Sequence, residues 1–132
     1  MSATTAVSPV SYLKWKKDVD EHDYGAASSY LSIRFGETRA REVVQKLQKL
    51  PVITRRANDI LRATGRAALP LSDPGVLKDL QKVLSGEKLS PILVAEGDVA
   101  DGYHRLSLAY ALDPYAVVPL KLGGVGVGAA PN

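Results

Sequence analysis

The sequence predicts an α+β protein in which a helical N-terminal part, about residues 8–50, packs on a second part, about 52–122, that mixes strands with helices. Ala40, Val43, Val44, Leu47 and Leu50 fall on one stripe at helical spacing with the charged residues elsewhere, and Val76, Leu77, Leu80, Val83 and Leu84 form a second such stripe. Two short apolar runs, Pro91 to Ala95 and Val117 to Leu122, have the length and composition of strands. Between them, Ala100-Asp101-Gly102-Tyr103-His104-Arg105 precedes apolar residues at helical spacing from Leu106 to Leu112, so a strand, a turn and a helix follow one another.

The first seven residues are small and polar and are expected to be frayed. Ser8-Pro9 has the form of an N-cap followed by a proline at the first helical position, which predicts a helix from Val10 to about Glu21 with Leu13 and Trp15 packing inward. Trp15 reads as a lid or core anchor and not as a binding platform. Asp23 is placed to cap a second short helix that runs through Tyr30 to Phe35 and ends at Gly36. The third helix carries the first stripe and stops at Pro51. From Val52 to Thr64 two readings stand side by side: Val52-Ile53-Thr54 suits a strand, and Ala57, Ile60 and Leu61 suit a helix. Gly65 and Leu69-Pro70-Leu71 mark a loop. Asp73-Pro74 repeats the cap-and-proline signal, and the helix it opens carries the second stripe and ends at Gly86. After the strand from Pro91, Glu96-Gly97-Asp98 reads as an exposed polar turn. The next helix runs to about Leu112, Asp113-Pro114 stops it, and a last strand spans Val117 to Leu122. The tail from Gly123 to Asn132 holds four of the eleven glycines and no charge, so a flexible end is expected.

At 132 residues the chain is expected to form a single domain, 1–132, because one hydrophobic core usually closes at about 100–150 residues. A hydrophobic content of 45% with 23% charged residues excludes wholesale disorder, and only 6% aromatics makes the interior aliphatic. The net charge of +3 is too small to imply nucleic acid. Basic residues gather as Lys14, Lys16 and Lys17, as Arg34, Arg39 and Arg41, and as Arg55, Arg56, Arg62 and Arg66, but acidic residues interrupt each group, which suits solvated helix faces better than a phosphate-backbone surface. Nucleic acid therefore stays open as a partner. With no cysteine, disulfides, thiolate catalysis and cysteine-based metal sites are excluded. No apolar run reaches the roughly 18 residues of a membrane span, and Met1 to Val10 lacks a signal-peptide profile, so a cytoplasmic protein with no membrane partner is expected.

The chemistry concentrates at the 100–105 hexad. At a helix N-terminus, unpaired N–H groups and the positive end of the helix dipole favour an anion, and Gly102 lets backbone come close to a ligand. Arg105 can hold a phosphate oxygen bidentately; the alternative is an ion pair with Asp101 or Asp113. His104 can donate to a phosphate or act as acid or base near neutral pH, or simply close a turn. Asp101 can reach a Mg²⁺ through water, serve as a general base, or cap the helix. Tyr103 suits packing better than stacking on a base. Glu96 and Asp98 could add carboxylates to a metal, against the plainer reading of an exposed hairpin tip. His22, among Asp20, Glu21 and Asp23, has metal-like composition without metal-like spacing and reads as a solvated helix end. No Walker loop, nucleophile elbow or paired-histidine zinc motif is present.

The ordered segments "ANDILRATG", "DPGVLKDLQKVLSGEKLSPILV", "ADGYHRLSLAYAL" and "VVPLKL" together resemble the ParB/sulfiredoxin superfamily, and more narrowly small bacterial proteins described as having a ParB-like nuclease domain. The resemblance covers about Val52 to Leu122. It implies a small mixed sheet with helices and a nucleotide held by its phosphates at Gly102, Tyr103, His104 and Arg105, with Asp101 at the acidic position of the free-serine kinase branch. Sulfiredoxins carry a reactive cysteine just before the His-Arg pair; Tyr103 stands there, which rules out sulfinic acid repair. Chromosome-partitioning members continue into a helix-turn-helix domain, for which a sequence ending at Asn132 is expected to leave no room.

Three functions follow as expectations. The first is a nucleotide-binding protein that holds ATP or CTP with Mg²⁺ at the hexad, with Asp101 and His104 as the groups for phosphoryl transfer or hydrolysis. The second is a regulatory module in which the hexad is a structural turn and the N-terminal helices bind a protein partner or a second copy. The third is a DNA-binding or nuclease protein.

Overall fold

The structure, a computed structural model, describes residues 9–124. The frayed start expected for the first seven residues and the flexible end expected beyond Gly124 lie outside the described residues. The chain is α+β: helices α1 (Glu21–Phe35), α2 (Glu37–Lys49), α3 (Ala57–Thr64), α4 (Pro74–Leu84) and α5 (Tyr103–Leu112), with strands β1 (Ile53–Arg56), β2 (Ile92–Ala95), β3 (Asp98–Asp101) and β4 (Val117–Gly123). The strands form one mixed sheet in the order β1-β4-β2-β3, in which β2 and β4 run parallel and the outer pairs are antiparallel. Among the described residues no helix is long and apolar enough to cross a membrane.

The sheet is covered on both faces. Leu93, Ala95 and Ala100 pack with Ala27 and Leu31 of α1 and with Ala40, Val43, Val44 and Leu47 of α2. Their strand neighbours Ile92, Val94 and Val99 pack with Ile60 and Leu61 of α3, Leu106 and Ala109 of α5, and Val118 and Leu120. Alternate side chains of a strand point to opposite faces, so a strand between two helical layers must be apolar throughout; every residue of β2 is buried, which is why it reads as an unbroken apolar run. The helix α4 extends the second layer, with Val76 and Val83 against Leu108 of α5 and Leu89.

Most elements match the sequence expectations. Of the α2 stripe, Ala40, Val43, Val44 and Leu47 are buried and Leu50, just past the helix end, is partly buried, and both readings of 52–64 hold in succession, a strand to Arg56 and a helix from Ala57. Asp73 caps α4 by accepting from the N–H groups of Gly75 and Val76 at 2.9 and 3.1 Å, with Pro74 at the first helical position. Five expectations are corrected. The helix from Val10 to Glu21 shrinks to a 3₁₀ turn at Pro9–Tyr12, because the chain beyond it is extended: Lys16 N–H donates to Leu89 O and Leu89 N–H to Lys14 O, each at 2.8 Å. That pairing lets Trp15 pack against two apolar clusters, as an anchor. The next helix starts at Glu21 after Asp20, so Asp23 is inside its first turn and is no cap. Asp98, Ala100 and Asp101 belong to β3, an antiparallel partner of β2 that the sequence reading folded into a turn and a helix start. The α4 helix ends at Leu84, and two of the five residues of its expected stripe face outward: Leu77 and Leu84 are 40% and 68% exposed. Gly123 pairs with Ala95 as the last residue of β4, and is therefore not part of a tail.

Candidate functional site

The start of α5 is organised by its own backbone. Gly102 takes φ +101°, and a Cβ there would lie 2.5 Å from Ile92 Cγ2 and 2.8 Å from Arg105 Nη2. The glycine is thus required by Ile92 and Arg105 of this chain, where the sequence reading had assigned the close approach to a ligand. Asp101 makes no cap, which corrects that one of its three readings: its Oδ2 accepts from Arg105 Nη2 at 3.1 Å, and the N-cap Gly102 offers no side chain. The first-turn N–H groups of α5 are therefore left for another acceptor.

Arg105 is the hub. Besides Asp101, its Nη2 donates to Asp23 Oδ2 of α1 at 3.3 Å and to Pro91 O at 3.5 Å. The ion pair with Asp101 was one of the expected alternatives, whereas Asp113 is engaged elsewhere, accepting from Tyr115 N–H at 2.9 Å. Arg105 Nε is buried with no hydrogen-bond partner among the described residues. Asp23 is 3% exposed, against the expectation of a solvated helix end; His22 beside it fits that expectation, with its side chain 82% exposed and Nε2 3.2 Å from Asp23 Oδ1.

A cleft of about 350 Å³ opens between α4 and the start of α5. His104, Arg105, Gly102 and Asp101 line it from one side, and Gly75, Lys78, Asp79 and Lys82 from the other. His104 Nε2 lies 3.5 Å from Asp73 Oδ2, the carboxylate that caps α4. Burial pushes the carboxyls of Asp79 and Asp101 up from their ordinary range. For Asp79 the charges of Arg105, Lys82 and His104 oppose the rise; for Asp101 Arg105 opposes it and the Asp23 charge adds to it. Lys78, Lys82 and Asp79 escaped the sequence reading. The usable signal is the i, i+4 spacing of the lysines on a helix whose start packs against the hexad.

Tyr103 does not line the cleft, although the resemblance counts it among the residues that hold the phosphates; in keeping with the packing reading it sits in the α3/α5 layer, donates its hydroxyl to Ala67 O, and carries the Arg66 guanidinium 4.9 Å from its ring centroid. Glu96 and Asp98 are not an exposed polar tip. Asp98 is 3% exposed and accepts from Arg66 Nε at 2.8 Å, from Arg34 Nη1 and from the Tyr30 hydroxyl; Arg39 Nη2 donates to both oxygens of Glu96 at 3.0 and 3.1 Å. Three arginines read as solvated helix faces thus tie α1, α2 and the loop after α3 to the β2–β3 turn. Burial alone would raise the Asp98 carboxyl, but the hydrogen bonds from Arg66, Tyr30, Val99 N–H and Arg34 outweigh it and hold it well below the usual carboxylate range.

Among the described residues no three His, Cys, Asp or Glu side chains converge on a metal position. No protein-family model, curated protein or solved structure matches the chain.

Proposed function

We propose that this protein binds the phosphates of a nucleoside triphosphate, ATP or CTP carried with Mg²⁺, in the cleft between α4 and α5. The observation that supports this most is the convergence of Lys78, Lys82, His104 and Arg105 on one cleft at the uncapped start of α5. Its volume falls within the range of small-ligand pockets. The ParB/sulfiredoxin resemblance of residues 52–122 points the same way. Mg²⁺ keeps most of its waters and takes one or two protein carboxylates beside the phosphates it accompanies, which suits the pair Asp79 and Asp101 and does not ask for a three-ligand cage. Lys78 and Lys82 would neutralise phosphate charge, His104 would donate to a phosphate oxygen or move a proton there, and Asp101, held through Oδ2 by Arg105, keeps Oδ1 for water or the metal. Isothermal titration with ATP, CTP and GTP, with and without Mg²⁺, tests the reading: millimolar binding that Arg105→Ala weakens by about 1.5–3 kcal/mol is expected, and no binding at millimolar nucleotide refutes it.

A second reading is favoured by the engagement of Arg105 with Asp23 and Asp101: the hexad serves as a structural turn, and the protein acts as an interaction module. Ile33, 86% exposed, and Phe35, 38% exposed, then supply an apolar contact at the end of α1. A complex recovered from native extract that survives Arg105→Ala and is lost on Ile33→Asp selects this reading.

A further inference from the structure

We propose that Asp23 sets the affinity of the α4/α5 cleft for phosphate by competing for Arg105, so that a bound phosphate takes over a guanidinium that α1 holds here. The inference rests on the reading of the cleft as a phosphate site and concerns how that site is controlled.

The contacts of Arg105 are poor for a charged group. All three come from Nη2, at 3.1, 3.3 and 3.5 Å, while charge-assisted N–H···O bonds run at about 2.7–2.9 Å. Nε is buried and has no partner among the described residues, and an unmade hydrogen bond in such a position is costly. Two carboxylates, Asp23 and Asp101, share the one guanidinium, so the trio carries a surplus negative charge beside a cleft that Lys78, Lys82 and the imidazole of His104 also line. A phosphate offers more charged oxygens than this arrangement uses.

Asp23 does not line the cleft, yet it touches the arginine that does. It also has other support when Arg105 turns away. It stands in the first turn of α1, where the helix dipole favours a carboxylate, and His22 Nε2 is 3.2 Å from its other oxygen. The exchange of partners is therefore affordable at both ends. It also links ligand to architecture, because Asp23 joins the start of α1 to the start of α5 through Arg105.

The test titrates inorganic pyrophosphate, and ATP with Mg²⁺, into the wild-type chain, Asp23→Asn and Glu21→Gln. Removing one unit charge several ångströms away in a partly hydrated site should tighten binding roughly fivefold in Asp23→Asn. Glu21→Gln, at an exposed position of the same turn without contact to Arg105, binds as the wild type does. Equal or weaker binding by Asp23→Asn overturns the competition and leaves the nucleotide reading standing; no binding by any of the three overturns both. If Asp23→Asn does not fold, hydrogen exchange on the wild-type chain decides. Saturating pyrophosphate should speed exchange of the amides from Asp23 through Ala27, and unchanged or slower exchange overturns the proposal.

Discussion

The imidazole of His104 lies across the backbone of Gly75: a Cβ built on Gly75 would fall 2.3 Å from Cδ2 and 2.4 Å from Nε2 of the ring. The first turns of α4 and α5 are thereby interlocked. Asp73 completes the arrangement, since one of its oxygens both caps α4 and lies within 3.5 Å of His104.

Gly75→Ala should separate stability from binding. Alanine favours a helix over glycine by up to about 1 kcal/mol, and the half-exposed ring can rotate aside, so the unfolding midpoint in urea stays level or rises. The displaced imidazole no longer faces the cleft, and affinity for ATP falls by about 1.5 kcal/mol, the loss of one charge-assisted contact, read by titration calorimetry.

Gly102→Ala should instead be a folding mutation. The left-handed backbone and the overlap with Ile92, which is fully buried, act together, and strain plus overpacking cost about 2–5 kcal/mol. Chemical denaturation of the variant measures it.

Two aspartates that both face arginine should respond with opposite sign. The carboxyl of Asp98 is depressed, so its stabilisation is present above the ordinary value of 3.8 and is lost as pH falls below it. The carboxyl of Asp101 is raised, so its ionised form burdens the fold at neutral pH and the burden disappears as pH falls through the raised value. At pH 7 Asp98→Asn should cost about 2–3 kcal/mol, below the full penalty of a buried pair because Arg34 is 47% exposed. Asp101→Asn should be neutral or stabilising, within about 0.5 kcal/mol of the wild type or above it. Denaturant melts at pH 7 and pH 3 check both, and the Asp98 variant loses less on acidification than the wild-type chain.

Lys78→Ala and Lys82→Ala should leave stability within about 0.5 kcal/mol, since Lys78 is exposed and the Lys82 side chain is 44% exposed at the open side of the cleft. Each should weaken ATP binding by about 1 kcal/mol at low salt, with the difference shrinking as ionic strength rises, as the screening of exposed charges requires.

The elements whose apolar pattern has one period were legible in the sequence. The α2 stripe, the Asp73-Pro74 start of α4 and the α5 spacing depend on neighbours close in the chain. The segment 10–20 was not, because the hydrogen bonds of Lys14 and Lys16 with Leu89 hold Trp15 extended, and no local pattern announces that partner. β3 was hidden because its charged ends, Asp98 and Asp101, resemble turn chemistry until Arg66, Arg34 and Arg105 are brought to them by other elements. At the site, the hexad was visible as a set of residue types, and its partners were not: Asp23 lies 82 positions from Arg105, and the lysines of α4 join the cleft only through the packing of α4 on α5.

The ties of α1 to late segments also bear on how the chain leaves the ribosome. Asp20 N–H donates to Ser90 Oγ across 70 positions, Tyr30 reaches Asp98 across 68, and Leu31 and Leu47 share their cluster with Leu93, Ala95 and Ala100 of the sheet. The helical pair emerges first and waits, its apolar side uncovered, until more than two thirds of the sequence has been synthesised. Partially made chains are therefore the sticky species of this protein, and any break in translation between α2 and β2 leaves a fragment suited to chaperone capture and not to folding.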